Sequence, residues 1–354
     1  MNSSNLTNQT TEPIEAEGYT EPHGLRVFSL IIFSVIIFAS LFGNALVLKA
    51  VVELPTRYKP FVYYLVANLA VAEIISSLCQ PFLMAYQEIY SWMFGEFACK
   101  LINPLQVLAV IVITSDLAAI SVYRYQALLT PLRKKISGVV MVAVIGGLWL
   151  VALALSLPLF VTRILTQLPS GYKVCMSRFP HAGSYNTYSI IRFSVSFLLP
   201  YLIMVWSYGA VTLKLKRHIR KNVVETPEIT TTSEDRRELY NPRQDHPRRQ
   251  RLHLEVHNDR RGSKNTGAEL ECDLLRMIYV IIISFVVCYI PYQILFLWDY
   301  STGPNGAWRF SFHQILRKYF YILTCLPGAI HPLCYGTMNR FFARAFSRVV
   351  MCRR

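Results

Sequence analysis

Long continuous runs of apolar residues dominate the chain, without the periodic alternation of apolar and polar residues that is typical of soluble helices and strands. Five of them contain no charged residue: the segment between Arg26 and Lys49, and Ile136–Thr162, Phe193–Leu213, Met277–Trp298 and Tyr319–Asn339. Each is long enough for the roughly 20 helical residues that cross a hydrocarbon core about 30 Å thick.

Two further stretches have the same length but contain one carboxylate each. Pro60–Gln87 contains Glu73, and Phe97–Tyr123 contains Asp116. The pattern therefore predicts an all-α membrane protein in which residues 25–337 form a bundle of seven transmembrane helices.

The composition agrees with this prediction. The 354 residues are 53% hydrophobic and only 16% charged, which is too apolar for an ordinary soluble domain. The formal net charge is +15, and 27 of the 36 lysines and arginines fall on one side of the seven predicted helices. The positive-inside rule assigns that side to the cytoplasm. The charge then predicts attraction to anionic inner-leaflet lipid, and nucleic-acid binding is a poor interpretation of it.

The N-terminal tail, residues 1–24, is polar and lacks the hydrophobicity to fold alone. It contains three Asn-x-Ser/Thr glycosylation sequons, at Asn2, Asn5 and Asn8, and such sequons matter only in the secretory lumen. No charged segment with a short apolar core precedes them, so we expect no cleaved signal peptide. Seven spans then place the N-terminus outside the cell and the protein in the plasma membrane.

Two cytoplasmic segments differ from the short connections elsewhere. Residues 216 to about 270 are strongly polar and rich in both charge signs, which is typical of a disordered loop. Residues 338–354 place arginines on one helical face and apolar side chains on another, namely Phe341, Phe342, Ala345 and Phe346. This predicts an amphipathic helix on the inner membrane surface. Beside it, Cys352 is either a palmitoylation site or an unmodified cysteine.

Most of the eight cysteines lie inside the predicted spans. Cys99 and Cys175 differ, because both fall at outer ends of their segments, on the oxidising side. We expect a disulfide that ties the loop after the fourth helix to the top of the third. The alternative is a pair of free thiols.

Charged or titratable side chains inside the spans are candidates for function, because their burial in lipid is costly. They are Glu73, Asp116, Arg124, Arg192 and His331. Gln106 lies five helical turns, about 27 Å, before Arg124 on one face of the third helix. Val110, Ile113 and Leu117 fill the face between them.

This apolar face suits a protein that transmits a conformational signal. It counts against a transporter or proton channel built on Glu73, Asp116 and His331, because conduction needs a connected polar path. No nucleophile and base, and no metal-binding cluster, are spaced for chemistry. We therefore expect neither an enzyme nor a cofactor or metal.

Over all seven helices the chain resembles the rhodopsin-like class of G-protein-coupled receptors. The resemblance rests on several motifs in the family's order and spacing. They are Gly43-Asn44, NLAVAE at 68–73, WMFG at 92–95 followed by Cys99, Trp149, Pro200 with Tyr208, FVVCYIP at 285–291 and HPLCY at 331–335.

The resemblance implies a set of residues that couple activation to the G protein. They are Arg124, Glu271, Tyr208, Tyr335, Phe285, Tyr289 and Pro291. Tyr123 stands where the family usually has an acid beside the arginine. An ion pair between Arg124 and Glu271 across the bundle is then expected to restrain the resting state. The alternative is a solvated arginine and glutamate.

The resemblance also implies a buried polar network of Asn44, Asn68, Glu73, Asp116, Trp149 and His331. Glu73 replaces the family's aspartate, and His331 replaces an asparagine. We therefore expect a hydrogen bond or ion pair between them in place of a sodium site. Asp116 is expected to be a structural node approached by Asn68 and Trp149.

Several positions resemble receptors of the neuropeptide Y, neuropeptide FF and orexin type. Gln106, Pro81 and Trp92 match them, and the polar and aromatic segment after Cys175 can pair with an extended peptide. The resemblance places ligand contacts at Gln87, Gln106, Arg192, Tyr292, Gln293, Phe296, Asp299 and Tyr321.

Two of these positions carry charge. Asp299 is expected to accept an arginine or amine of a peptide. Arg192 is expected either to bind a ligand carboxylate or carbonyl, or to extend its charge to the outer interface. The hypothesis is a receptor that binds an extracellular peptide and activates heterotrimeric G proteins. Its rival within the same class is a receptor for a small anionic ligand built around Arg192.

Overall fold

The computed structural model describes residues 21–54, 61–129, 137–181, 183–224, 276–299 and 313–350. Its helices are α1 (His23–Glu53), α2 (Phe61–Ile89), α3 (Gly95–Leu129), α4 (Gly138–Thr162), α5 (Ser184–Phe193), α6 (Leu199–Val224), α7 (Arg276–Asp299), α8 (His313–Met338) and α9 (Arg340–Val350). A hairpin of β1 (Arg163–Gln167) and β2 (Lys173–Ser177) lies between α4 and α5.

Six spans in the described part of the chain are long and apolar enough to cross a membrane: α1, α2, α3, α4, α7 and the continuous segment Ser184–Lys214. The seventh helix of the bundle, α8, is less apolar because tyrosines, Pro327, Pro332 and His331 occupy part of it. It packs against α1 and α2. The predicted all-α bundle is confirmed.

The core of the bundle is built around α2 and α3. Leu65, Leu69, Ile111 and Leu117 are almost completely buried there. By contrast, α4 exposes most of its apolar side chains. An apolar outer surface of this extent is what a lipid environment requires.

The fifth span differs from the sequence prediction at both ends. It begins at Ser184 and its helix continues to Val224, so residues 216–224 are helical and the prediction that the loop starts at 216 is wrong. Between α5 and α6, Ser194–Leu198 form a π-helical turn. This wider turn lies just before Pro200, which has no N–H for the usual helical hydrogen bond.

The disulfide predicted between Cys99 and Cys175 is present, with Cα atoms 5.7 Å apart. It joins the start of α3 to β2, the second strand of an antiparallel hairpin. Sequence reasoning missed the hairpin. Its signal is the Pro169-Ser170-Gly171 segment between two short runs with β-branched residues, and Gly171 has a φ of +84°. We call this end of the bundle the disulfide end.

Helix α9 confirms the predicted amphipathic helix, and its apolar face docks on the opposite end of the bundle, the α9 end. Phe342 is buried, and its ring lies 5.6 Å from that of Tyr63 and 5.3 Å from that of Tyr335. The contact with α8 is close at Gly336, where a Cβ would lie 2.8 Å from the ring of Phe346.

An ion-pair cluster joins α1, α2 and α8 at the disulfide end. Glu88 forms ion pairs with Arg26 at 2.7 Å and with Lys318 at 3.0 Å, while Lys318 also pairs with Glu21. The hydroxyl of Tyr319 donates to Glu21 at 2.7 Å. The last part of the predicted tail is therefore attached to α8, and α1 begins at His23, before the predicted boundary.

The pKa of Glu21 reflects this attachment. Burial acts to raise that pKa, but hydrogen bonds from Lys318 and Tyr319 and the nearby positive charges lower it below its ordinary value. A carboxyl with a lowered folded-state pKa stabilises the fold above its ordinary pKa, and the contribution is lost as the pH falls through the lowered value.

Replacing Lys318 with methionine should destabilise the protein. The side chain of Lys318 is 7% exposed, and removing the cation from a buried cluster leaves carboxylates without their partner, at a cost of about 3 kcal/mol. The temperature of half-denaturation of detergent-solubilised protein measures the effect. Lys100→Met is the matched control, because Lys100 pairs with Glu96 in an exposed i, i+4 contact. Equal denaturation temperatures for the two variants would contradict the stabilising role of the cluster.

Candidate functional site

A buried polar network joins α1, α2 and α8 in the middle of the bundle. His331 Nδ1 lies 2.8 Å from Glu73 Oε1, and the two residues are 0% and 4% exposed. The contact predicted from the sequence is therefore present. Beside it, the hydroxyls of Ser40 and Ser77 are hydrogen-bonded at 2.7 Å. Sequence reasoning did not assign these two serines.

One proline, Pro332, explains how the network joins α1 to α8. In a regular helix the carbonyl of Gly328 would accept the N–H of residue 332, but Pro332 has no N–H. Asn44 Nδ2 supplies the missing donor at 3.0 Å from Gly328 O, and it also donates to Ser40 O at 2.9 Å. The asparagine of α1 thereby ties α1 to the proline-interrupted segment of α8.

Glycines let these helices approach closely. A Cβ on Gly328 would lie 2.5 Å from Glu73 Oε2 and 2.5 Å from Ser40 Oγ. On the facing helix, a Cβ on Gly43 would lie 2.6 Å from Pro332 Cβ. Both positions require glycine because of space rather than backbone conformation.

A second polar group lies where α2, α3 and α4 meet. Trp149 Nε1 donates to Asn68 Oδ1 at 2.8 Å, a bond that the sequence did not predict. Asp116 is completely buried against Asn68 and the Leu69 amide. Within the described part of the chain, neither oxygen of Asp116 has a well-aligned hydrogen bond.

Toward the disulfide end, Gln106 belongs to a cluster with α2. Gln106 and Gln80 both donate to Ser76 Oγ, at 2.9 Å and 3.1 Å. Tyr321 of α8 donates to Gln80 O at 3.4 Å, and its ring lies 6.3 Å from that of Tyr292. The structure thus brings together three of the predicted ligand residues: Gln106, Tyr292 and Tyr321.

The other predicted ligand residues lie on α2, α5 and α7, toward the ends of these helices at the disulfide end. Arg192 of α5 has its guanidinium carbon 5.7 Å from the ring centroid of Phe296 on α7. Gln87 and Gln293 are partly buried on α2 and α7.

Asp299 already has protein partners. It contacts His313 at 2.7 Å and Arg317 at 3.8 Å. A ligand cation would have to compete with both, which weakens the expectation that Asp299 accepts a ligand arginine or amine.

Arg163 is a further residue that sequence reasoning missed. It donates to Cys175 O at 3.0 Å and to Asn103 Oδ1 at 2.5 Å, and so fixes the hairpin to α3. The available signal was its position, since Arg163 is the first residue after the uncharged run Ile136–Thr162 of the fourth helix. Sequence reasoning missed Lys318 in the same way, although it lies just before the uncharged run Tyr319–Asn339 of the seventh helix.

Most of the predicted activation residues lie in the described part of the chain, some in the middle of α7 and the others at the α9 end. Phe285 and Tyr289 of α7 are buried and stacked, with ring centroids 4.3 Å apart, and Pro291 follows them on the same helix. Arg124 lies close to Tyr63 and Tyr208.

The remaining predicted residues of this end also have defined surroundings. Tyr335 is buried against Phe342. Tyr123, which replaces the family's acid, packs on Phe61 with ring centroids 5.2 Å apart. Some predicted residues lie outside the described part of the chain: Glu271, the sequons at Asn2, Asn5 and Asn8, and Cys352.

Comparison with known proteins agrees with this geometry. Residues 43–335 match the family described as 7 transmembrane receptor (rhodopsin family). The KiSS-1 receptor of Homo sapiens is 26% identical over 320 residues, which cover 88% of this chain and 71% of that receptor. The neuropeptide Y receptor type 2 of Gallus gallus is 24% identical over 320 residues, covering 88% and 72%.

Replacing Gly328 with alanine should destabilise the bundle by about 1–3 kcal/mol, because the added methyl group forces Glu73 or Ser40 to move in a closely packed site. The temperature of half-denaturation in detergent measures the loss. Gly147→Ala on α4 is the control, since a Cβ there meets nothing within 4 Å. If both variants kept the stability of the unmodified protein, the close approach at Gly328 would be disproved.

Proposed function

The chain belongs to the rhodopsin family of seven-transmembrane receptors, and from this membership we propose that it binds an extracellular peptide and activates heterotrimeric G proteins. The observation that carries the proposal is the family match, which runs from α1 to α8. Relatives that bear the name neuropeptide Y receptor support a peptide as the ligand.

The orientation follows from two features of the chain. The disulfide between Cys99 and Cys175 favours an extracellular disulfide end, because disulfides form and persist in oxidising compartments. Lysines and arginines concentrate in the segments of the α9 end, which favours the cytoplasm for that end. We therefore place the N-terminus outside the cell and the receptor in the plasma membrane.

The peptide site lies at the disulfide end, around the cluster of Gln106, Tyr292 and Tyr321. The β1–β2 hairpin lies over this end, and a two-stranded sheet offers strand edges to which an extended peptide can add. Arg192 with Phe296 supplies a cation beside an aromatic ring. These groups can bind backbone carbonyls, aromatic side chains and anionic groups of a peptide.

Activation is proposed to act through α7. A ligand near Gln106 moves α7 about Pro291, and the stacked rings of Phe285 and Tyr289 repack. The α9 end of α7 then moves outward and Arg124 leaves Glu271. Tyr208 and Tyr335 turn toward the released arginine, and the opened surface binds the G protein.

One observation favours a second candidate, a receptor for a small anionic ligand. Within the described residues, Arg192 has no carboxylate partner. A transporter is disfavoured, because Ile113 and Leu117 are buried apolar residues between the polar clusters of the two ends.

A peptide screen tests the proposal directly. Cells that express the full-length receptor are exposed to a library of synthetic peptides, with calcium and cyclic AMP as readouts and untransfected cells as the control. Activation by a peptide is the expected result. Responses to small organic anions, with none to any peptide, would replace the proposed function with the second candidate.

Replacing Glu271 with alanine should raise ligand-free signalling by about fivefold or more, because removal of the carboxylate frees Arg124 and shifts the resting equilibrium toward the open state. Basal G-protein activation is measured at matched surface expression. Glu269→Ala is the control, since it removes a carboxylate two residues away and leaves Glu271 in place. Unchanged basal activity in Glu271→Ala, or an equal rise in both variants, would refute the restraint.

A further inference from the structure

The charges at the disulfide end are unevenly matched. Four carboxylates lie there among the described residues, and each has a cationic partner: Glu21 with Lys318, Glu88 with Arg26 and Lys318, Glu96 with Lys100, and Asp299 with His313 and Arg317. The described cations of the same end that have no carboxylate partner are Arg163, Lys173, Arg178 and Arg192. The unneutralised charge in this described part of the chain is therefore positive.

Two of these four cations differ from the others in their surroundings. Lys173 and Arg178 are exposed, so water solvates their charges. Arg163 and Arg192 are partly buried, and they belong to β1 and α5. Burying a cation without a counter-ion is unfavourable unless other groups compensate for the lost water.

The groups that compensate are neutral. Arg163 donates to a backbone carbonyl and to the Asn103 amide, and its buried Nε has no hydrogen-bond partner within the described residues. Arg192 has the ring of Phe296, 5.7 Å from its guanidinium carbon. These contacts orient both guanidinium groups without cancelling either charge.

The two charges also act on each other. Burial lowers the pKa of Arg163, and the charge of Arg192 lowers it further, while nearby tyrosines oppose the shift. Both side chains remain cationic, because arginine does not lose its proton in proteins. A bound anion at Arg192 would also reduce this unfavourable effect on Arg163.

We propose that Arg192, held against Phe296, is the centre of a carboxylate-recognition site at the disulfide end, so that the activating peptide carries an acidic group at the point of contact. The inference rests on the proposed peptide function and narrows its ligand class. Arg192 supplies the N–H donors that contact the carboxylate, and Phe296 supports the guanidinium from the other side. Arg163, already fixed by the hairpin, contributes mainly its charge.

The neighbouring acid supports this choice of ligand charge. Asp299 is occupied by His313 and Arg317, so a cationic ligand gains less there than an anionic ligand gains at Arg192. The carboxylate has two chemical sources, the C-terminus of the peptide or an aspartate or glutamate side chain. The test separates them.

The experiment uses full-length receptor in cells and one synthetic library made in three forms. The first form has a free C-terminal carboxylate, the second is amidated, and in the third every Asp and Glu is replaced by Asn and Gln. For active peptides, we expect one of the two modifications to lower potency by roughly 10–100-fold, as for loss of a charged hydrogen bond. Which modification does so identifies the source of the carboxylate.

A receptor variant tests the same contact from the side of the protein, as in a double-mutant cycle. Arg192→Gln should lower the potency of the acidic form by a similar factor and leave the potency of its neutral form unchanged. Lys100→Gln is the control, because Lys100 is an exposed cation of the disulfide end that already pairs with Glu96, and it should change neither potency. Surface expression is measured for each variant, and the comparison of acidic with neutral peptides on unmodified receptor does not depend on variant folding.

Two results would overturn the carboxylate site and leave the proposed function standing. In the first, active peptides keep full potency in all three forms. In the second, acidic peptides activate unmodified receptor and Arg192→Gln with equal potency. A library that fails to activate the receptor in any form would overturn the proposed function, and the inference with it.

Discussion

The packing of α8 against α1 and α2 depends on the buried contact between Glu73 and His331. Either group alone would be costly in a membrane-spanning helix, because no water is available to satisfy it. Together, His331 Nδ1 and Glu73 Oε1 form a polar contact at 2.8 Å. The contact requires the helices to approach closely, and this approach in turn requires glycine at 43 and 328.

Pro332 of α8 makes the helical hydrogen bonding of the same region depend on a neighbouring helix. Pro332 removes one helical hydrogen bond, and the side chain of Asn44 restores it from a different helix. The bond is thus a tertiary contact where an ordinary helix would have a local one. Relative movement of α1 and α8 must break or remake it, which couples the shape of α8 to the position of its neighbours.

The two ends of the bundle use charge differently. At the disulfide end, the carboxylates of the ion-pair cluster and of Asp299 all have cationic partners. Arg163 and Arg192 have no carboxylate partner there among the described residues, so their positive charges are not neutralised. At the α9 end, Tyr123 packs on Phe61 where an acid would have restrained Arg124 within its own helix. Buried apolar residues, Ile113 and Leu117, separate the ends. A signal between them therefore travels through packing.

The sequence alone determined the features that depend on the cost of placing a residue in lipid. The spans and the amphipathic α9 follow from this cost. The disulfide followed from the oxidising side of the membrane on which both cysteines fall. The pairing of Glu73 with His331 followed from the resemblance to the receptor family, together with the need of a polar group inside an apolar run for a partner. Only the tertiary structure decided the partners that depend on distances between helices. It assigned Asp299 to His313, Lys318 to Glu21 and Glu88, and Arg163 to the hairpin. At the rim of the bundle water can satisfy a charge. Its partner there is set by the geometry of neighbouring elements, which no local pattern encodes.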